Sequence, residues 1–324
     1  MIEINSKKID IWSKVGSRAT FGLAILEIEK NFKDLCVVTC DVSTSAGLDR
    51  FRKQKPEKYV DLGISEQNMI GVAAGLASEG HDVITTTFAP FQTLRCCEQI
   101  KVNLGYMKNK VIMVGLASGL ILGTLGYTHC SIEEVGVLRS IPNISIISPA
   151  DSLEVVKALI ASLKYKDSVY IRLTGGAPSE VIYNKDYDFE IGKAIKIKEG
   201  KDVAIFSTGA SVANSANAAK HLEKENISSS VINFHTIKPV DKAMILKEIK
   251  SKKLIVTVEE HNIIGGLASA VSEVLAEISN KPKMISLGIN DQYSEGGTYN
   301  FLLKKYGLNV EGIVRRVSEE INKI

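Results

Sequence analysis

The sequence predicts a two-domain α/β protein, each domain carrying a mainly parallel sheet between layers of helix. β-branched runs of strand length alternate with helix-length segments along the whole chain, which is the pattern of layered α/β domains. The alternation is interrupted once, by the polar, glycine-bearing "TGGAPSEVIYNKDYDFEIGKAIKIKEGKD" (174–202), and then resumes. With 324 residues there is material for two separate cores.

In the first half, strands are expected at 35–42, 82–88, 110–117, 144–148 and 169–173, and helices at 17–31, 65–79, 90–105, 131–141 and 151–163. The segment 174–202 reads as a linker followed by a small edge hairpin. In the second half, strands are expected at 203–209, 229–237, 254–260 and 283–289, with helices at 210–223, 240–250 and 265–278 and two more at the end. The expected units are 1–178, a linker 179–198, and 199–324. "GASVANSANAA" (209–219) has the strand–glycine–helix form of an anion site and equally that of a tight strand-to-helix turn.

Composition bounds the function. The chain is 45% hydrophobic and 24% charged, with a net charge of +3 and its Lys and Arg spread along the length. No basic patch or nucleic-acid motif stands out, so no nucleic-acid partner is expected. The first residues, "MIEINSKKIDIWSK", lack the apolar centre of a signal peptide. No apolar run approaches the length of a membrane span, so no membrane partner is expected. The five cysteines are odd in number and form no CxxC pair. They read as reduced thiols in a cytoplasmic protein rather than as metal ligands, because no Cys/His cluster has ligand spacing.

In parallel α/β sheets, ligands bind beyond the carboxyl ends of the strands. The residues that follow the strands here are Asp41 with Ser43–Ser45, then Gly63, Ser65 and Glu66, then Phe88, Pro90, Phe91 and Arg95, and the glycine-rich "SGLILGTLGYTH" ending in His129; Arg172 ends the 169–173 strand. Taken singly, each has an ordinary structural use. Glu66 suits the first turn of a helix, the aromatics suit core packing, and Arg18 and Arg172 suit ion pairs. "DLGISEQNMIGVAAGLASEG" (61–80) reads as a buried helix, apolar or small almost all round, with that carboxylate at its mouth.

Together, the ordered stretches "GSRATFGLAILEI", "CDVSTSAGLDRF", "DLGISEQNMIGVAAGLASEG", "TTFAPFQTLRCCEQIK", "GYTHCSIEEVGVLRSIPNISIISPAD", "VYIRL", "VAIFSTGASV", "VINFHTIKPVD" and "TVEEHNIIGGLASAV" resemble the C-terminal half of transketolase. The resemblance covers residues 10 to 324 nearly throughout. It implies a doubly wound pyrimidine-binding domain for thiamine diphosphate, followed by a transketolase C-terminal-like α/β domain. Related halves occur in deoxyxylulose-phosphate synthase and in 2-oxo-acid dehydrogenase beta subunits.

The resemblance implies roles residue by residue. Glu66 matches the glutamate that bonds to the pyrimidine ring nitrogen of the cofactor and promotes the tautomer that deprotonates the thiazolium carbon. Phe88 and Phe91 match aromatics against the aminopyrimidine, and Leu94 stands where transketolase has a third. Asp41 and Ile64 match cofactor-side positions. Arg18, Ser45 and Arg172 match a phosphate-holding group, whose guanidinium forks and hydroxyl suit it. His129 matches a histidine that bonds the donor's hydroxyketone end. Two positions depart from the family. Leu125 in "LGYTH" replaces an aspartate, and Ala117 lies near a family histidine. An apolar site discriminates hydroxyls less than a polar one, so a changed substrate is expected.

The resemblance also implies what is missing. The family binds Mg2+ or Ca2+ and the diphosphate through an N-terminal domain with a GDG motif, and no GDG occurs here. The expectation is a split enzyme, in which an N-terminal diphosphate-binding subunit shares the cofactor with this chain. The assembly would be a dimer or α2β2 heterotetramer, with its interface around 65–80 and 115–127 and a sugar or sugar-phosphate substrate. "EEHNIIGGLASA" (259–270) reads as a cap and turn, or as a subunit-contact or channel edge. Two other readings stay open: the beta subunit of a decarboxylating 2-oxo-acid enzyme, and a non-catalytic regulatory subunit.

Overall fold

The computed structural model describes residues 2–176 and 178–324; Met1 and Ala177, both inside the expected first unit, lie outside the described residues. The first half contributes strands β1 (Leu35–Thr39), β2 (Tyr59–Asp61), β3 (Asp82–Phe88), β4 (Val111–Leu116), β5 (Ile144–Ile147) and β6 (Ser168–Arg172). Its helices are α1 (Ser6–Ile28), α2 (Asp49–Gln54), α3 (Glu66–Ser78), the short α4 (Ala89–Thr93) and α5 (Cys97–Gln99), α6 (Glu134–Arg139) and α7 (Ser152–Lys164). The second half adds β7 (Ile195–Lys198), β8 (Val203–Ser207), β9 (Ser229–Asn233), β10 (Thr236–Lys238), β11 (Leu254–Asn262) and β12 (Lys283–Ile289). With them come α8 (Ser211–Lys224), α9 (Lys242–Glu248), α10 (Leu267–Ala276), α11 (Tyr299–Lys305) and α12 (Val310–Ile321).

The predicted α/β architecture is what forms. One sheet runs β10-β5-β6-β4-β3-β1-β2 and the other β12-β11-β8-β9-β7. All neighbours are parallel except β10 on β5 and β7 on β9. Successive strand residues point to opposite faces, so each central strand feeds two cores. Val37 joins Phe21, Ile25, Leu153 and Val156 beneath α1 and α7. Val38 joins Met69, Ile70, Val135 and Leu138 beneath α3 and α6. In the second sheet, Ile205 packs with α8, α11 and α12, and Phe206 with α9 and α10.

The structure adds α2 and β2 to the expected elements and departs from expectation in four further places. Helix α1 begins at Ser6, where Asn5 accepts a hydrogen bond from Lys8 N at 3.0 Å, and Gly16 breaks it with a φ of 78°. The expected helix 90–105 divides into α4, α5 and a π-helical turn Ile100–Tyr106. The expected edge hairpin is the single strand β7. The segment before it is instead drawn onto α7: Ile182 N and Tyr183 N each donate to Asp151 Oδ2 at 2.9 Å, and Tyr187 Oη donates to Glu154 Oε1 at 2.9 Å. Finally, the expected strand 229–237 splits at Phe234 and His235. Its first part, β9, stays in the second sheet, while β10 crosses to pair with β5, and Ser148 N donates to His235 O at 2.7 Å. No helix among the described residues is long and apolar enough to cross a membrane, and the five cysteines are free.

The turn reading holds for "GASV". Gly209 has a φ of 59°, and a Cβ there would lie 2.4 Å from Ser148 Oγ.

Gly22, inside α1, positions the loop after β1. A Cβ there would meet Gly47 O at 2.0 Å and Gly47 C at 2.5 Å. Gly→Ala inside a helix ordinarily gains about 1 kcal/mol. Here the obstacle is backbone, so Gly22→Ala is expected to lose about 1–3 kcal/mol net. A lowered denaturation midpoint at unchanged slope will check it, and an unchanged or higher midpoint refutes the contact.

Candidate active site

The rim is built by the carboxyl ends of β1, β2, β3, β4 and β6. Glu66 occupies the first turn of α3 and is only 3% exposed, at a helix end that favours an acid. Within this chain the helix is buried on one face only, where the sequence read as a buried helix. It buries Met69, Ile70, Ala73 and Ala74 and presents Gln67, Asn68, Gly71 and Gly75 outward, because small residues suit a solvent-facing surface as well as a buried one.

Phe88 ends β3 and Phe91 lies on α4, their rings 6.3 Å apart and perpendicular at 88°. His129 closes the corner, 6.2 Å from Phe88 and 5.4 Å from Phe91, both edge to face. Thr128 Oγ1 lies 3.1 Å from His129 Nδ1. Arg95, seen in the sequence only as a rim residue without a role, joins this corner to the acid. Its Nη1 donates to Glu66 Oε2 at 2.7 Å, and its guanidinium carbon lies 4.0 Å from the centre of the Phe91 ring. Cys40 and Cys96 are buried close by. Burial pushes their thiols up to about 11 and about 12, and the charge of Glu66 adds to both shifts. They are therefore neutral, apolar neighbours rather than nucleophiles.

Two non-glycine residues directly beyond the strand ends adopt left-handed backbone, Asp41 after β1 and Ala117 after β4, each with a φ of 54°. Such conformations persist where the surrounding structure imposes them, and they cluster at ligand sites. Asp61, which sequence reasoning passed over, does the imposing at Asp41. Its Oδ1 accepts from Asp41 N at 2.9 Å and from Gly63 N at 3.1 Å. The signal was an acid at a strand end directly before a glycine turn.

Arg18 lies on α1 and Ser45 in the loop after β1, whose Gly47 has its Cβ position 3.2 Å from Arg18 O. Both are partly exposed, and Arg18 Nε lies 3.3 Å from the Cβ position of Gly175 in the loop after β6. Arg172 does not join them. It is buried, ion-paired through Nε to the fully buried Glu134, and its Nη2 donates to Ser131 O at 3.0 Å and to Glu260 O at 2.7 Å. This guanidinium is turned inward to tie β6, the His129 loop and β11 together, so the geometry gives it a structural rather than a phosphate-holding place. Leu94 is half-buried, while Ile64 and Leu125 stand out at 77% and 57% exposed.

The second sheet shapes the His129 loop, a contribution sequence reasoning did not find. Leu120, Cys130 and Ile132 are buried in the core beneath α8, α11 and α12. Asn262 N donates to Ile132 O at 2.6 Å and Gly297 N to Gly123 O at 3.0 Å. Glu260 accepts from Leu120 N at 3.3 Å and from the Tyr299 hydroxyl. Glu259 instead caps α10, accepting from Leu267 N at 2.7 Å and Ala268 N at 2.8 Å, in line with the cap-and-turn reading of "EEHN". Burial pushes both carboxyls up. Tyr293, on the loop before α11, brings its ring 5.2 Å from that of Tyr127. A cavity of about 610 Å³ lies apart from this corner, between the two halves, lined among others by Thr174, Gly175, Asn214 and Tyr299. Glu66, Phe88, Phe91, Arg95 and His129 are not among the residues lining that cavity, whose carboxyls are Asp151 and Glu180.

Comparison with known proteins agrees with this architecture. The transketolase pyrimidine-binding domain model matches residues 13–177, and the transketolase C-terminal domain model matches residues 192–313. The chain is 35% identical to one of the subunits of the apulose-4-phosphate transketolase of Phocaeicola vulgatus, over 95% of this chain and 98% of that one. It is also 35% identical to the SqwH subunit of the 6-deoxy-6-sulfo-D-fructose transketolase of a Clostridium species, over 93% of each chain. A solved structure described as a split gene transketolase, inactive beta4 tetramer, superposes with a TM-score of 0.87 at 33% identity, covering 95% of this chain and 99% of that one. The chain belongs to the transketolase family, carrying its pyrimidine-binding domain followed by its C-terminal domain in the manner of the separate C-terminal subunits of split transketolases.

Proposed function

We propose that this chain is the pyrimidine-side subunit of a two-subunit, thiamine-diphosphate-dependent transketolase. It moves a two-carbon ketol unit from a phosphorylated or otherwise anionic ketose to an aldehyde or keto acceptor. Residues 1–178 form the pyrimidine-binding unit; the expected linker 179–198 shortens to 179–194, because β7 (Ile195–Lys198) already belongs to the second sheet, and the C-terminal unit runs from 195 to 324. The observation that carries the reading is the buried Glu66 carboxylate, joined through Arg95 to the corner of Phe88, Phe91 and His129.

That donor set fits the aminopyrimidine end of thiamine diphosphate, a flat ring that needs aromatic walls and one acidic partner at a ring nitrogen. It does not fit the diphosphate end. Among the described residues no group of three or more His, Cys, Asp or Glu is placed to hold a metal ion, and a diphosphate needs a hard cation with oxygen ligands. The Mg2+ or Ca2+ site is therefore assigned to a partner subunit, and the natural assembly is an α2β2 heterotetramer. The neighbour described as an inactive beta4 tetramer supports dependence on a partner.

When bound, thiamine diphosphate supplies the carbon nucleophile and electron sink of ketol transfer. Glu66 holds the proton shared with the pyrimidine ring nitrogen. Phe88 and Phe91 wall the ring and exclude water, with Leu94, Asp41 and Ile64 around it. His129 bonds the hydroxyketone end of the donor and handles its proton. Arg18 and Ser45 hold the anionic end of the substrate, a class supported by the relatives named for apulose-4-phosphate and for 6-deoxy-6-sulfo-D-fructose. Leu125 and Ala117 read no hydroxyl, which loosens stereochemical selection there.

The test is co-expression with a diphosphate-binding transketolase subunit, calorimetry with thiamine diphosphate and Mg2+, and mass detection of two-carbon transfer. Binding and transfer are expected only in the mixture. Tight binding by this chain alone would refute the split site. Carbon dioxide release from a 2-oxo acid without ketol transfer would move the chain to the decarboxylating enzymes.

A further inference from the structure

Arg95 engages both groups assigned to the pyrimidine end of the cofactor. Its Nη1 is 2.7 Å from Glu66 Oε2, and its guanidinium carbon is 4.0 Å from the centre of the Phe91 ring. A guanidinium is planar, donates N–H groups and stacks on aromatic faces. An aminopyrimidine has the same three properties. The guanidinium thus fills the space between carboxylate and ring, and two groups of that shape cannot share it.

The two ends of the contact differ in freedom. The Glu66 side chain is 4% exposed and fixed in the first turn of α3, whereas the Arg95 side chain is 41% exposed. The Arg95 backbone is held, since Gln67 Nε2 donates to Arg95 O at 3.0 Å and the Cys96 thiol donates to Phe91 O at 3.2 Å. The long side chain can therefore turn into solvent while its anchor and the seat stay in place. Its presence also means that no buried carboxylate is left unpaired before cofactor arrives, a state that is costly.

We propose that Arg95 is a built-in occupant of the pyrimidine seat, closing it in the free protein and turning aside when cofactor enters. This rests on the cofactor reading above. A seat that is open only part of the time binds more weakly by its open fraction. For one charge-assisted hydrogen bond and one partly exposed cation–π contact, the reduction is roughly three- to thirty-fold.

The experiment is calorimetric titration of the reconstituted two-subunit enzyme with thiamine diphosphate and Mg2+. Arg95→Met keeps the stem and removes the charge and the N–H groups, and it is expected to bind roughly three- to thirty-fold more tightly than wild type. Arg95→Lys keeps a charge for Glu66 without the planar stack and is expected to fall between them. Equal or weaker binding by Arg95→Met overturns the proposal, because Arg95 would then support the seat rather than fill it. A second readout is independent of any variant's folding. Nitrogen-15 resonances of the Arg95 guanidinium are expected to be protected in the free chain and to lose that protection on saturation of the complex with cofactor. Unchanged resonances at saturation overturn the proposal. If neither wild type nor variant binds thiamine diphosphate, the cofactor reading has failed, and the Arg95 proposal falls with it.

Discussion

Glu66→Gln is expected to slow ketol transfer by about 10²–10⁴-fold while leaving the fold and the subunit pairing intact. The substitution keeps the size of the side chain and an oxygen acceptor, but an amide cannot hold or return a proton. Proton transfer by a positioned side chain contributes about 10²–10⁴-fold to rate, so kcat should fall by that factor. The Michaelis constant for the ketose should change little, because the groups assigned to the donor, Arg18, Ser45 and His129, are untouched. Stability should also change little. Arg95, the partner left behind, is already 41% exposed and can be hydrated, and the new amide carries no buried charge. Steady-state kinetics with the partner subunit, alongside thermal melts, will check both halves. Wild-type turnover in Glu66→Gln would remove the carboxyl from the chemistry and favour the regulatory-subunit reading.

The largest stability effect is expected at Arg172 and Glu134. Both side chains are buried and paired with each other, and Arg172 also reaches the carbonyls of Ser131 and Glu260. Removing one member strands an uncompensated charge, which costs about 3–5 kcal/mol. Arg172→Met and Glu134→Leu should each lose an amount of that order in denaturant unfolding. The double variant should recover part of it, since apolar replacement of a buried pair is often near neutral. Full recovery is not expected, because the Ser131 and Glu260 carbonyls lose their donor. Arg172→Lys separates this from the phosphate-holding role implied by the family resemblance. A structural Arg172 predicts lost stability and a disturbed His129 loop, whereas a substrate contact predicts a raised Michaelis constant at unchanged stability.

The fold was legible because period and length carried it. Strands such as Asp82–Phe88 and Ile144–Ile147 are short, β-branched and bounded by helices, and that local signal survives packing. What was not legible depended on partners distant in sequence. Nothing in "SSVINFHTI" says that its last residues leave one sheet for another, because either sheet accepts an apolar strand. Arg172 looked like a ligand residue by position, and only its contacts with Ser131 and Glu134 in one segment and Glu260 in another, far along the chain, turn it inward. Conversely, Glu66, Phe88, Phe91 and His129 were legible as a group, because each follows a parallel strand and topology brings such positions to one rim. Arg95 was visible there too, but a charged residue at a rim carries no sign of which neighbour it grips.

The exchange of β10 between sheets has a consequence for synthesis on the ribosome. The six parallel strands of the first sheet are complete once residue 172 has emerged, yet the outer edge of β5 has no neighbour until residues 236–238 follow. An open strand edge is a template for pairing with other chains, and nascent domains generally fold as they emerge. The first half therefore waits with a reactive flank while the linker and three strands of the second half are made. A chain that stalls or is cut in that interval presents a nearly finished domain with one edge exposed, and that is where a holding chaperone has most to protect.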